Sequence, residues 1–406
     1  MDINITPGKL SGSIRAIPSG SHAQRVFICA ALADRPTDVL MKGDSKDVEI
    51  LMKCLRSLGA HIKVLKEDRF RVEPISKKGN KKTNVVLQCG DSASTFRFLL
   101  PVAAAIKENV TLEGDGRLVS LPMEPIKEAL SRQGCRITGE GMPLSIKGRL
   151  KPGVFHLPGE ISAQWVTGLI LAATTMKGDS EIILDVHLEE EDYVDLTRDV
   201  LERYGVDVYE QPKGYIIPGK QNFKAPREIR IEGDWITSAF WMAANALGNK
   251  INCEGLNQRS VQGNRRILTL LQSIEDGGVI DCSHIPDLVA PLGVVAAVTP
   301  GTIRFENCER LRLKEIDRLD ALINALVAIG ANISESGNGF TVQGRESLEG
   351  GPVDAMGDYS IGMAMAIAAT CCREEMTIIG GEGIEKIYIN FFDEYKKLGG
   401  KVKING

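Results

Sequence analysis

No run of 18 uninterrupted apolar residues occurs anywhere in this chain of 406 residues. Nothing in it therefore reads as a membrane-spanning helix. No secretory leader pattern precedes the first strand-like segment, INITPGKLSGSIRAI. The nine cysteines show no CxxC spacing, and Cys371 and Cys372 are adjacent. An odd count without a framework excludes a disulfide scaffold and fits free thiols in a reducing cytoplasm. Only five histidines are present, His22, His61, His156, His187 and His284. They are scattered with no ligand spacing, so no metal site is expected. Positive charge is short too: 49 Lys and Arg stand against 53 Asp and Glu, a net charge of −4. That disfavours nucleic acid and anionic membrane as partners, while a local basic cluster still suits a small anion. No low-complexity linker is visible.

What the chain does have is a repeat. Six times an apolar helical pattern runs into Gly and then into a short strand-like segment. The stops fall at Gly59, Gly134, Gly205, Gly277–Gly278, Gly330 and Gly399. Gly just past a helix end adopts the left-handed conformation without a Cβ clash, so each copy is a sound helix stop. Six stops at a period of about 70 residues predict a chain built from one repeated unit. The interval from Gly277 to Gly330 is shorter, at 53 residues.

A second pattern keeps phase with the first. Short polar segments lead into helices rich in small apolar residues: PSGSHAQRVFICAALA from Pro18, GDSASTFRFLLPVAAA from Gly90 and GEISAQWVTGLILAA from Gly159. The later three are GDWITSAFWMAANAL from Gly233, IPDLVAPLGVVAAV from Ile285 and GDYSIGMAMAIAA from Gly357. Ser, Asp and Thr ahead of such runs are N-cap residues. The exposed N–H groups and partial positive charge of a helix N-terminus also suit an anionic ligand. Taken singly, each copy reads first as a cap.

A chain this long exceeds one ordinary core, and three repeats per domain is the simplest division. The crossover is expected near PREIRIEGDW, around 226–235, with the opening strand pairing into the second domain. The expected domains are 15–228, and 1–14 plus 229–406, with a ligand cleft between them.

Eight segments then carry a resemblance that spans nearly the whole chain. They are GDSASTFRFLLP at 90–101, GRL at 116–118, SAQ at 162–164, YVDLT at 193–197, EGDW at 232–235, IPDLVAPL at 285–292, RLKEIDRL at 312–319 and EKIYINFF at 385–392. On these the sequence resembles the enolpyruvyl transferase family, and most of all its branch acting on shikimate 3-phosphate. The resemblance implies an α/β fold, a two-domain inside-out α/β barrel. Each domain has three βαβαββ units, six pseudo-repeats in all. It implies transfer of the enolpyruvyl group of phosphoenolpyruvate to the acceptor's 5-hydroxyl with release of phosphate, on the route to aromatic amino acids. Cofactors are none, and a monomer is expected.

The resemblance also implies roles. Glu315 and Asp287 match the acid–base carboxylates, with Lys386 beside them. Ser21, Arg25, Ser162, Gln164, Asp287 and Lys314 match the shikimate 3-phosphate side. Arg117, Gln164, Arg318 and Lys386 match the phosphoenolpyruvate side. Arg suits these anions because its planar fork binds carboxylate and phosphate bidentately. Read without the family, Lys314, Glu315, Asp317 and Arg318 could equally form a solvated helix face with i,i+3 and i,i+4 pairs.

Several positions depart from the family pattern. Gly20 stands where the family has a Lys that touches both substrates. Tyr359 and Ser360 stand in place of a His and a carboxylate-binding Arg after Asp358. Ala163 replaces a phosphate-binding Ser, and Glu190 another. Ala93 replaces a Gly, which implies insensitivity to glyphosate. A charge-assisted hydrogen bond contributes roughly 1.5–3 kcal/mol, so losing two cations predicts about 10²–10⁴-fold weaker anion binding. Two other readings therefore stay open: a transferase for another, unphosphorylated acceptor, and a paralogue that binds without turnover. The cell-wall branch is disfavoured, because GDGRLVSLPMEP at 114–125 lacks its reactive Cys.

Overall fold

Gly59 has φ +112°, and its N–H reaches the carbonyls of both Leu55 and Arg56. That is a left-handed helix stop, which L-residues with a Cβ resist. The other five stops share the sign of φ, from +67° at Gly205 to +95° at Gly399, with Gly278 after Gly277 at +127°. The computed structural model describes all residues except Asp44, 77–83, 121–122, 159–160, Glu189, Glu315 and Gly406, and except the side chains of Arg117 and Ser120.

The chain divides into two compact units, residues 18–232 and residues 1–17 with 233–406. In the unit 18–232, three four-stranded sheets repeat one plan. Glu228–Arg230 pairs in parallel with Thr37–Leu40, which pairs antiparallel with Arg69–Glu73, and His61–Lys66 closes the hairpin. Val85–Gln88, Asn109–Glu113, Leu144–Lys147 and Arg136–Thr138 follow the same order. So do Val154–Leu157, Ser180–Leu184, Gly214–Ile217 and Tyr209–Gln211. The small-residue helices Gly20–Leu32, Ala93–Ile106 and Ala163–Ala173 are buried along almost their whole length. Amphipathic helices Lys46–Leu58, Glu124–Arg132 and Asp192–Arg203 bury one stripe each. Helices thus lie inside and sheets outside. Gly168 shows why small residues are needed: a Cβ there would lie 2.4 Å from the Arg97 carbonyl oxygen.

The other unit follows the plan twice and departs from it once. Gly278–Asp281, Thr302–Glu306, Gly339–Gln343 and Asn332–Ser336 make one four-stranded sheet. Gly351–Asp354, Met376–Ile379, Asp2–Thr6 and Lys401–Asn405 make another, so the opening strand of the chain takes the inner hairpin position. The remaining sheet is only the parallel pair Ser11–Arg15 with Lys250–Glu254. Its helix, Ile267–Asp276, passes through Gly277 directly into the first strand of the next sheet. Among the described residues this unit has no hairpin like the others, which accounts for the short interval. Trp235–Ala246, Val289–Val298 and Tyr359–Ala368 are this unit's buried helices.

Five of the six small-residue helices carry the expected cap. Ser19, Ser92, Ser162, Asp234 and Asp358 accept from first-turn N–H groups at His22, Thr95, Gln164, Thr237, and Ser360 with Ile361. The sixth, Val289–Val298, has Leu288 at its N-cap position and no side-chain cap. Its acidic residue, Asp287, has other partners.

Candidate active site

In the unit containing 233–406, Asp287 meets Arg318 and Tyr359. The Arg318 guanidinium donates from Nη1 to Asp287 Oδ1 at 3.4 Å. It donates from Nε and Nη2 to Asp358 Oδ2 at 3.0 and 2.8 Å. The Tyr359 hydroxyl lies 3.4 Å from the same Asp287 Oδ1. The Tyr359 ring centroid is 5.2 Å from the Arg318 guanidinium carbon, within cation–π range. Arg318, Asp287 and Asp358 are all buried. Burial alone would lower the Arg318 pKa, but the attraction of Tyr359, Asp358 and Asp287 overrides it and holds the guanidinium firmly charged. A buried charge is tolerated only when paired and hydrogen-bonded in this way.

Local sequence explains how Arg318 comes to be buried. RLKEIDRL is not one solvated helix. A short turn of helix, Glu309–Arg312, ends on the motif's first residue, and a new helix, Arg318–Ala328, begins within it. Asp317 caps that helix by accepting from the Asp320 N–H. Arg312 clamps the break, donating to Asp317 at 2.8 Å, Asp320 at 2.6 Å and Glu335 at 2.6 Å. Arg318 is therefore the first helical residue and turns inward. Lys314 is half-buried on the intervening turn. Glu315 lies outside the described residues.

The EKIYINFF segment divides its labour. Tyr388, Phe391 and Phe392 are core anchors, with Trp241 stacked on Phe391 at 4.8 Å. Lys386 ends the 3-10 segment Gly381–Lys386 and is exposed.

In the unit 18–232 the motifs converge on Arg25. Nε donates to Thr197 Oγ1 at 2.7 Å, Nη1 to the Ser21 carbonyl at 2.7 Å, and Nη2 to the Tyr193 carbonyl at 2.8 Å and Thr167 Oγ1 at 3.5 Å. Phe98 lies under the guanidinium at 5.0 Å. Burial lowers the Arg25 pKa to about 10, still charged at neutral pH. Arg25 thus ties three helices together, and Tyr193, Thr197 and Thr167 join the site's frame. Ser21 is half-buried on the first turn of its helix. Gln164 accepts from Arg97 Nη1 at 2.8 Å, and Ser162 caps the helix Ala163–Ala173 by accepting from the Gln164 N–H. The Arg117 side chain lies outside the described residues.

The departures have distinct surroundings. Among the described residues, a Cβ on Gly20 would meet only the Ser45 Oγ, at 3.5 Å. Ser360 is wholly buried, and its Oγ has no hydrogen-bond partner. Ala163 is buried, and Ala93 is half-buried as the first residue of its helix. Glu190 has φ +57°, a left-handed conformation uncommon for a residue with a side chain. Beside Gly20, His22 is fully buried. Its Nδ1 accepts from the Glu232 N–H at 3.3 Å, while Nε2 has no partner. Among the described residues, no group of three or more His, Cys, Asp or Glu is placed to hold a metal ion. No helix among them is long and apolar enough to cross a membrane.

The family model of EPSP synthase (3-phosphoshikimate 1-carboxyvinyltransferase) matches residues 5–279 and 272–395. The chain belongs to the EPSP synthase family. A 3-phosphoshikimate 1-carboxyvinyltransferase of Clostridium acetobutylicum is 36% identical, over 98% of this chain and 98% of the relative. One of Clostridium kluyveri is 37% identical with the same coverage of both. An EPSP synthase structure from Acinetobacter baumannii superposes with TM-score 0.85 and 21% identity, covering 99% of this chain and 100% of the other. That likeness fixes the fold of this family member as the two-domain α/β architecture described above.

In this EPSP synthase family member, Asp358 and Tyr359 join the candidate site through Arg318 and Asp287, a place that their sequence motif does not reveal. The signal was present in the retained Asp of the family's Asp-His-Arg position. Its meaning was hidden because the partner, Asp287, is 72 residues away from Tyr359.

Proposed function

We propose that this chain transfers the enolpyruvyl group of phosphoenolpyruvate to the 5-hydroxyl of shikimate 3-phosphate and releases inorganic phosphate. The observation that carries the reading is the network of buried Asp287, Arg318 and Asp358 with half-buried Tyr359, in a chain matched along nearly its whole length by the EPSP synthase family. A carboxylate with a hydroxyl substrate beside it serves as general base. In the proposed step, Asp287 takes the proton of the 5-hydroxyl as its oxygen bonds to C2 of phosphoenolpyruvate. Glu315 gives a proton to C3, making a methyl group and a tetrahedral intermediate. In the second step a methyl proton is removed, the C2–C3 double bond re-forms, and the C–O bond to phosphate breaks with the electron pair leaving on phosphate. Arg318 stands beside Asp287 with a charge suited to the substrate carboxylate. Arg117, Gln164 and Lys386 take the phosphate of phosphoenolpyruvate. Ser21, Arg25, Ser162, Gln164 and Lys314 take the acceptor. The reading requires groups of both units to act on one substrate pair. It needs no cofactor, and it goes with a cytoplasmic monomer that does not bind nucleic acid. The net charge of −4 supports the last point.

Phosphate release from phosphoenolpyruvate, measured with and without shikimate 3-phosphate, tests the reading. Acceptor-dependent release supports it. Saturable binding of both substrates without release would replace it by a non-catalytic role. A second reading, transfer to an unphosphorylated acceptor, draws support from Ala163 and Glu190, since a methyl and a carboxylate both disfavour a phosphate. Release with shikimate but not with its 3-phosphate would establish it.

A further inference from the structure

We propose that Tyr359 is a positioning residue for Asp287, holding the carboxylate ionised and fixed in orientation for proton abstraction. This rests on the reading of Asp287 as the general base. The Tyr359 hydroxyl and Arg318 Nη1 both point at Asp287 Oδ1, each at 3.4 Å. Two donors converging on one carboxylate oxygen from different helices restrict rotation of the carboxylate. Both contacts are long, as catalytic hydrogen bonds often are before substrate binds, and they have room to tighten when it does.

Tyr359 is well placed to do this. It is the first residue of the helix Tyr359–Ala368, and Asp358 fixes that helix end by capping Ser360 and Ile361. Its ring stacks on the Arg318 guanidinium, so the same side chain touches both the expected base and its cationic neighbour. Burial, reinforced by the negative charge of Asp287, pushes the phenol well above its ordinary range, so it stays protonated and donates. Among the described residues, the charged groups that act on Tyr359 are Asp287, Arg318 from the helix Arg318–Ala328, Asp358 at the cap of Tyr359's own helix, and Asp234 at the cap of Trp235–Ala246, and Arg318 also pairs with Asp287. Arg318 and the phenol both donate to Asp287 Oδ1 and so favour its ionised form. Removing the phenol's hydrogen bond therefore raises the Asp287 pKa.

Tyr359→Phe isolates the hydroxyl, because Phe keeps the ring on Arg318. In steady-state phosphate release the variant should lose at least tenfold in kcat, with KM for phosphoenolpyruvate within twofold. The acidic limb of kcat/KM should move to higher pH by at least half a unit. A role in packing alone would leave that limb in place. A kcat within twofold and an unmoved limb overturn the proposal. The second arm needs no turnover. Carboxyl-labelled aspartate is titrated by carbon-13 NMR in the wild type and in Tyr359→Phe, with Asp287→Asn assigning the resonance. A higher Asp287 midpoint in the variant supports the proposal, and equal midpoints sink it. Absence of phosphate release in the wild type would remove the transferase reading, and the titration would then decide the Tyr359–Asp287 coupling by itself.

Discussion

Arg318 grips a single oxygen of Asp358 with two of its nitrogens, Nε at 3.0 Å and Nη2 at 2.8 Å. The other oxygen of Asp358 caps the helix Tyr359–Ala368 through the N–H groups of Ser360 and Ile361. One carboxylate thus joins a buried cation to a helix end.

Removing that carboxylate breaks both links. Asp358→Ala should destabilise its unit by about 3–5 kcal/mol, because Arg318 loses its main counter-charge inside the protein. Asp358→Asn keeps an oxygen for the cap and should cost about 1 kcal/mol less. Urea unfolding followed by Trp235 and Trp241 fluorescence, in a Trp165→Phe background, reads this unit. Equal losses in the two variants would show that the cap contributes nothing.

His22 predicts a pH dependence. Burial, opposed in part by Glu232 and aided by Arg203 and Arg25, lowers its pKa from 6.5 to about 4. The unfolded chain therefore binds a proton that the folded one refuses between those values. Stability is full above about pH 6.5 and falls as pH drops toward 4, by up to roughly 1.4 kcal/mol per pH unit. His22→Gln should flatten that slope in unfolding measured from pH 7 to pH 4. An unchanged slope would assign the acid sensitivity to other groups.

The catalytic assignment predicts a division between kcat and KM. Asp287→Asn keeps the shape and a weaker contact to Arg318 but does not take a proton. Its kcat should fall on the order of 10²–10⁴-fold, with KM changed far less. Glu315→Gln should behave the same way. Wild-type turnover in either variant, measured by phosphate release, removes that residue from the mechanism.

These sites were legible in the sequence where their causes are local. A Gly stop depends on one residue's φ, and all six stops stand where the repeat put them. Caps depend on three or four residues, and five of six formed. The exception at Leu288 is tertiary: Asp287 is drawn to Arg318 and Tyr359, which come from later helices. The same limit hid the burial of Arg318. Its spacing to Lys314 and Asp317 suits an exposed helix face, but Asp317 caps a new helix there and Arg312 ties that cap to the distant Glu335. The two-stranded sheet of the fourth repeat left one trace, the short interval between Gly277 and Gly330.

Ala93 predicts a drug response. It opens the helix Ala93–Ile106, where a Gly is tolerated without a change in backbone. The resemblance implies that its methyl crowds the phosphonate of glyphosate. Ala93→Gly should lower the inhibitory concentration at least about tenfold, which corresponds to about 1.4 kcal/mol of relieved crowding. Inhibition curves at fixed phosphoenolpyruvate check this. Overlapping curves would place the insensitivity elsewhere, for example in the missing cations.

The missing cations give the last prediction, and the surroundings of Gly20 and Ser360 make the two positions unequal. Among the described residues there is space above Gly20, since a Cβ added there would have only the Ser45 Oγ within 4 Å, at 3.5 Å. Gly20 is also helical, so a Lys there strains nothing. Gly20→Lys should bind phosphoenolpyruvate about tenfold tighter, one charge-assisted contact being worth roughly 1.5–3 kcal/mol before the cost of ordering the side chain. Ser360 is wholly buried beneath Asp358's cap. Ser360→Arg forces a long side chain into packed surroundings, at about 1–3 kcal/mol or more. The gain in affinity should therefore come from Gly20→Lys alone, and adding Ser360→Arg should lower stability without a matching gain. Calorimetry with phosphoenolpyruvate on the wild type, both single variants and the double variant separates the terms. Unchanged affinity in Gly20→Lys would mean that the anion does not approach the start of the helix Gly20–Leu32, and that this chain holds phosphoenolpyruvate by other groups.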